Sequence, residues 1–494
     1  MEMKSSCSNP VIPVRSRLLA LLVACTATPA FAWDTSYLQG LLNATPAGGW
    51  VQANTTPFSS AWATQAQGGL PPGTYSNPGS IVAAWSGYAW DSSRGNLILW
   101  GGGHANYMGN EVYQWNAQTG AWSRGSLPSR LITGNGIANA SPSEFFVVDG
   151  AAPQSAHTYE NLIYAPLADR MLILGGAVFN TGGGQRVVEN GTAVSAGIWQ
   201  WDPAKANGNQ VGGTTGSGYL PAIEGGNMWS RRPFGTNVPT NSPLEATTAY
   251  RTENGHDVIY QTRDSNASGF PSLYRLTLGN PALGESDSWE RIAVGWNAAN
   301  YQSSGTLDLE NNLYVRVAFS PAQGNRYGLG VWNLNQASAS APVGDTFIQL
   351  ELADGTPFQT NTNFAIAYDE VNRRFVMWDG SARGVVYYVD TEFNANGSID
   401  TTWTVTMASS TTTAQPDGNF NSAAGSLGVL GKWQYIPELG AFMALDMYNS
   451  TTTDAGVWLY KPLAAAVPEP GAGLLLSIGG SVLLLWSRRR QRDV

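Results

Sequence analysis

The chain has 494 residues, only 12% of them charged, a net charge of −9 and a high content of Gly (57), Trp (19) and Tyr (20). The length allows a large core, and the acidic balance argues against nucleic acid as a partner. Both cysteines, Cys7 and Cys25, fall in the first 32 residues, so removal of that segment leaves no disulfide, thiolate nucleophile or cysteine-bound metal.

Residues 1–32 read as an export signal. Lys4, Arg15 and Arg17 precede an apolar stretch at 18–24. Ala30 and Ala32 place small residues where a signal peptidase reads, which puts the cut before Trp33. Leu22, Val23, Ala24 and Cys25 also resemble a lipoprotein lipobox, with Cys25 as the lipidated residue. The plain reading, an apolar residue within the signal, is preferred because a second anchor stands at the other end of the chain.

Residues 33–463 repeat one pattern, clearest at 81–124. An apolar run at 81–90 meets a polar turn with Gly95, and a second run at 97–100 stops at Gly101, Gly102 and Gly103. An alternating segment follows at 111–115, and Trp122 opens a fourth. Runs of this length bounded by Gly, Asn, Asp and Ser indicate buried strands. Glycines after the second run suit a backbone that must leave the sheet sharply. Further copies lie at 164–229, 246–289, 305–347 (with Phe347 in place of Trp), 364–403 and 427–460. The sixth lacks a fourth strand. Gly48, Gly49, Trp50 and Val51 have the missing form, so Trp50 is predicted to complete the sixth sheet and close a ring. A plain β-sandwich would not explain an N-terminal strand that fits only the last repeat. The units exceed the usual propeller repeat of about 40–50 residues, which we assign to inserted loops such as 178–196.

The glycines after strand two (Gly101 to Gly103, then Gly175 and Gly176) and the later Tyr/Trp pairs resemble the Kelch-repeat family. The resemblance spans 50–462, clear in two repeats and degenerate in four. It implies an all-β propeller of six or seven blades, and six are counted here.

A short linker and motif occupy 464–470, including Pro468, Glu469 and Pro470. An uncharged apolar run, 471–487, and a basic tail, 488–494, with Arg488, Arg489 and Arg490 complete the chain. The run is a little short for a membrane helix of about 20 residues, and the arginines favour a cytoplasmic end. Motif, transmembrane helix and basic tail together resemble the PEP-CTERM sorting signal of Gram-negative bacteria. That resemblance implies an exosortase-type membrane protease as partner, an inner-membrane precursor, and delivery of the body to the cell surface, outer envelope or exopolysaccharide matrix. A plain membrane anchor would not need the Pro-Glu-Pro motif. Without the seven basic and three acidic residues of the two end segments, 19 basic and 32 acidic residues remain, a net charge near −13.

In a four-stranded meander, the turns between strands two and three share a face with the links between sheets. His104 and His157 therefore meet on one face, while His256 points away. Histidine suits proton transfer near neutral pH, which makes His104, His157 and Tyr159 the candidate catalytic set. The bland alternative has His104 and Asn106 bonding the glycine-rich loop and His157 capping a strand. Asn106, Tyr107, Arg263, Arg316 and Arg383 are candidate ligand-binding residues on the same face, with Arg186, Asp264, Asp379 and Asp446 beside them. No phosphate loop or zinc motif is present, Asp264 begins an incomplete calcium loop, and no metal or cofactor is expected. Two functions remain: a surface protein whose aromatic face binds polysaccharide or an envelope protein, or a polysaccharide lyase using His104 and His157. The second rests on analogy of fold.

Overall fold

Each repeat folds as an up-and-down antiparallel meander, because its apolar runs are too short for helices and are separated by turns rich in Asn, Asp and Gly. The computed structural model describes residues 33–70, 77–214, 223–239, 243–263, 269–299, 302–417, 430–449 and 452–465. The export segment with Ala30 and Ala32, and the Pro-Glu-Pro motif with its apolar run and arginines, lie outside the described residues. Among the described residues, no helix is long and apolar enough to cross a membrane.

The first sheet holds Tyr88–Asp91, Asn96–Leu99, Tyr113–Asn116 and Ala121–Arg124 in chain order. The second holds Leu162–Ala165, Arg170–Ile173, Trp199–Trp201 and Trp229–Arg231. The third runs from Thr248–Glu253 through His256–Arg263 and Ser272–Thr277 to Ser288–Val294, and takes Val343–Gly344 as a parallel fifth strand. The expected sixth sheet is also present: Trp433–Ile436, Ala441–Asn449, Asp454–Lys461 and, at its edge, the N-terminal strand Gly49–Gln52. In that last pairing Trp50 stands opposite Tyr460.

The count of six separate sheets is not what forms. Among the described residues, four of the repeats form sheets of their own, and the fourth and fifth merge into one nine-stranded sheet. The cause is local: their outer strands, Thr346–Leu352 and Thr402–Ala408, pair in parallel from Gln349 opposite Thr402 to Leu352 opposite Val405. Two open edges thereby satisfy each other. The architecture is all-β and propeller-like.

Three further expectations change. The run 81–90 is not one strand; Gly79–Ala83 is a short helix behind Pro78, and only Tyr88–Asp91 joins the sheet. Proline pre-sets a helical φ at such a start, and Ile81 and Val82 are fully buried. The insertion at 178–196 is no open loop, because Arg186–Glu189 and Thr192–Ser195 form a hairpin. The abundant aromatics do not make an aromatic exterior either. Trp50, Trp100, Trp115, Trp199, Trp201, Trp332, Trp378 and Trp403 are all fully buried and fill the space between neighbouring sheets.

Candidate functional site

First strands line the axis of the molecule, and neighbouring repeats meet there. The Tyr88 N–H donates to the Gly431 carbonyl at 3.1 Å, and the Gln434 amide donates to the Tyr88 carbonyl at 2.7 Å. Glu160 lines one end of the space between them. Its carboxylate accepts the N–H of Gly305 at 2.9 Å and of Thr248 at 3.3 Å, so one side chain ties the strand starts of three repeats. Burial pushes this carboxyl up to about 8, the usual effect of removing a charge from water.

Above Glu160, on the face of the inter-sheet links, the two histidines do come together. Gly103 is required there, since a Cβ on it would stand 2.3 Å from Ala156 Cα. His104 follows with a left-handed φ of 50°, and its ring lies 5.5 Å from that of His157. The two differ sharply in setting. His104 is exposed, whereas His157 is 2% exposed. His157 Nε2 is 2.7 Å from Asn106 Oδ1, so the ring nitrogen donates to the amide oxygen. Its ring centroid lies 5.0 Å from Trp85 and 6.1 Å from Tyr159. Burial above all, then the neighbouring His104 and Lys432, push the imidazole down to about 3. A neutral, enclosed imidazole engaged by an amide is a structural pin more than a general base. Trp85 continues the network, donating to Gln302 Oε1 at 2.8 Å. Lys432, itself pushed down to about 7 by burial, donates to the Ala84 carbonyl at 3.1 Å.

The other predicted residues do not join this cluster. Tyr107 is buried and its hydroxyl donates to Glu111 Oε1 at 2.5 Å. Arg316 is fully buried, 3.2 Å from Asp345, with its guanidinium 4.4 Å above Trp332. It belongs to the core because the strand alternation turns it inward between two repeats. Arg263 lies over Trp289 at 4.4 Å and donates to Gln261 at 2.7 Å, beside a separate cavity of about 330 Å³. Arg383 is exposed, 3.2 Å from Asp417. Arg186 pairs with Glu144, Asp379 accepts from the Ser381 N–H, and Asp446 accepts from the Asp417 N–H. Asp264 lies outside the described residues. His256 does not sit in the first-to-second-strand turn but opens the second strand just after it, 3.2 Å from the Leu278 carbonyl.

Sequence reasoning missed the opposite end of the axis. Below Glu160 a cavity of about 520 Å³ extends to the turns between first and second strands. Five of its lining residues are aromatics at matching positions on different first strands: Trp90, Tyr164, Tyr250, Tyr368 and Tyr435. Leu307 holds the sixth position. The signal was available, since each follows the same register in its repeat, but it shows only when all six first strands are laid side by side.

No family model matches the sequence, and no curated protein matches it. Among solved structures, the chain is distantly similar to the GH93 α-L-arabinofuranosidase of Fusarium graminearum in complex with arabinobiose. The match has 11% identity and a TM-score of 0.33, covering 79% of this chain and 95% of that one. The extracellular domain of the one component system BT4673 from B. thetaiotaomicron is 11% identical, with a TM-score of 0.23, over 74% of this chain and 40% of that one. The RS223 β-xylosidase is 10% identical, with a TM-score of 0.18, over 45% and 96%. Likeness at this level says nothing of what this chain binds.

Proposed function

We propose that this is an exported envelope or matrix protein whose Kelch-like propeller body binds polysaccharide in the cavity on its axis. Its leader and PEP-CTERM-like segment would carry it through the inner membrane to an exosortase-type protease. The observation that supports binding is the ring of aromatic side chains around a cavity of about 520 Å³. That size lies within the range of small-molecule sites, roughly 300–1,000 Å³. Aromatic rings offer flat apolar faces at low conformational cost, which suits the C–H faces of a sugar. Binding without turnover fits the closed setting of His157.

Three measurements test the proposal. Mass spectrometry of the mature protein should find a new N-terminus at Trp33 and a C-terminus near Pro468. Calorimetry with soluble oligosaccharides should find binding that Tyr250→Ala and Tyr368→Ala abolish. New double bonds appearing by ultraviolet absorbance on incubation with acidic polysaccharide, and lost in His104→Ala and His157→Ala, would overturn binding alone in favour of a lyase.

A further inference from the structure

The mouth of the axial cavity is acidic, and this feature deepens the reading just given, on which it rests. Glu370 and Glu438 stand in the first-to-second-strand turns of successive repeats, and both line the cavity. Burial raises both carboxyls above the ordinary range, and at Glu370 the charges of Glu438 and then Asp369 add to it. Glu370 is exposed at the mouth, whereas Glu438 is half-buried, and the Trp90 indole N–H beside it acts against burial to lower its carboxyl. Among the described residues, neither carboxylate forms an ion pair. The guanidinium that lines the cavity, Arg251, is already engaged. It donates to Glu253 at 2.6 Å, Asn312 at 2.5 Å and the Tyr260 hydroxyl at 2.8 Å. The cavity thus offers two carboxylates beside aromatic rings and no uncommitted cation among its described lining residues.

We propose that this cavity takes a saccharide unit bearing a protonated amino group, with the ammonium held by Glu370 and Glu438 and the sugar ring against Trp90 and Tyr435. A carboxylate pair and an aromatic face both attract an ammonium, by charge-assisted hydrogen bonds and by the ring quadrupole. The same groups repel uronic acids and other anionic sugars, which gives selectivity through an unfavourable contact as well as a favourable one.

The test compares three oligomers of equal length by calorimetry: β-1,4-linked glucosamine tetramer, its N-acetylated counterpart and cellotetraose. The glucosamine tetramer should bind roughly tenfold tighter than either, the scale of one good charge contact in a half-buried site. Glu370→Gln with Glu438→Gln should remove that preference, and Glu438→Gln alone should reduce it if the double variant does not fold. Equal affinity for amino and acetylated oligomers would overturn the ammonium assignment while leaving the polysaccharide reading in place. Failure of all three oligomers to bind would overturn the polysaccharide reading itself. Competition by tetralysine as strong as by the glucosamine tetramer would assign the cavity to a basic peptide and overturn the saccharide assignment.

Discussion

Truncating Trp50 tests whether the N-terminal strand fastens the molecule. Trp50 is 1% exposed. Its indole N–H donates to the Gly384 carbonyl at 2.9 Å, and its ring centroid lies 5.7, 5.6 and 4.9 Å from those of Trp378, Trp433 and Tyr460. One side chain therefore joins the chain start, the fifth repeat and the sixth. Trp50→Ala exposes or empties about 200 Å² of apolar surface, worth about 5 kcal/mol at about 25 cal/mol per Å². The lost bond to Gly384 adds about 1 kcal/mol, and partial collapse of the void returns a similar amount. The expected cost is about 5 kcal/mol, at the upper end for a buried tryptophan. Trp50→Phe, which loses chiefly the hydrogen bond, should cost about 1–2 kcal/mol. Val51→Ala, on the half-buried face of the same strand, should cost about 1 kcal/mol. Equilibrium urea unfolding followed by fluorescence gives the three values, and limited proteolysis reports whether the chain start has come loose. A cost below about 1 kcal/mol for Trp50→Ala, or an N-terminal strand that stays resistant to protease, would refute the fastening role.

Three other outcomes follow from buried charge. Asp345 accepts the N–H groups of Trp296, Asn297 and Ala298 at 2.7, 2.8 and 3.0 Å as well as facing Arg316; Asp345→Ala should cost about 3–5 kcal/mol in denaturant unfolding, and Arg316→Met clearly less, because the backbone still satisfies Asp345. Glu160, raised from 4.5 to about 8, binds its proton more tightly folded than unfolded, so its contribution is complete below pH 4.5 and is lost as pH rises to about 8. Glu160→Gln should remove that falling slope from a plot of unfolding midpoint against pH, and an unchanged slope would refute the assignment. His157, lowered from 6.5 to about 3, acts in the opposite sense: its contribution is complete above pH 6.5 and is lost as pH falls toward 3. His157→Ala should therefore cost stability at pH 7, about 2 kcal/mol for the lost packing and hydrogen bond, while the exposed His104→Ala stays within about 0.5 kcal/mol.

What could be read in advance was the part written in local pattern. Short apolar runs, turn residues and a tryptophan on an unattached N-terminal strand were enough to place Trp50 opposite the last repeat, because side-chain alternation and strand length are set within a few residues. The shared face of His104 and His157 followed from meander connectivity alone. The merger of two repeats was not legible, since the edge pairing of Gln349 with Thr402 joins residues far apart in the chain and leaves no local mark. Nor was the inward turn of Arg316: an arginine reads as a surface residue until a specific carboxylate, Asp345, and a ring, Trp332, are seen to enclose it. The axial cavity lay hidden for a related reason. No single strand carries it, and each aromatic that rims it looks like ordinary strand core within its own repeat.

The same first strands make both ends of the axis, and among the described residues the cavity of about 520 Å³ lies toward the turn face. Toward the histidine face Glu160 draws backbone N–H groups from two other repeats onto one carboxyl. At the turn face the matching positions carry Trp90, Tyr164, Tyr250, Tyr368 and Tyr435, which rim the space instead of filling it. A ligand there touches several repeats at once and binds only the assembled body, so binding must add to stability by linkage. At a concentration one hundred times its Kd, a saccharide should raise the unfolding free energy by about 2.7 kcal/mol. The rise should vanish in Tyr250→Ala and persist in His104→Ala, which does not line the cavity. Stabilisation that His104→Ala abolishes and Tyr250→Ala spares would move the binding site to the other end of the axis.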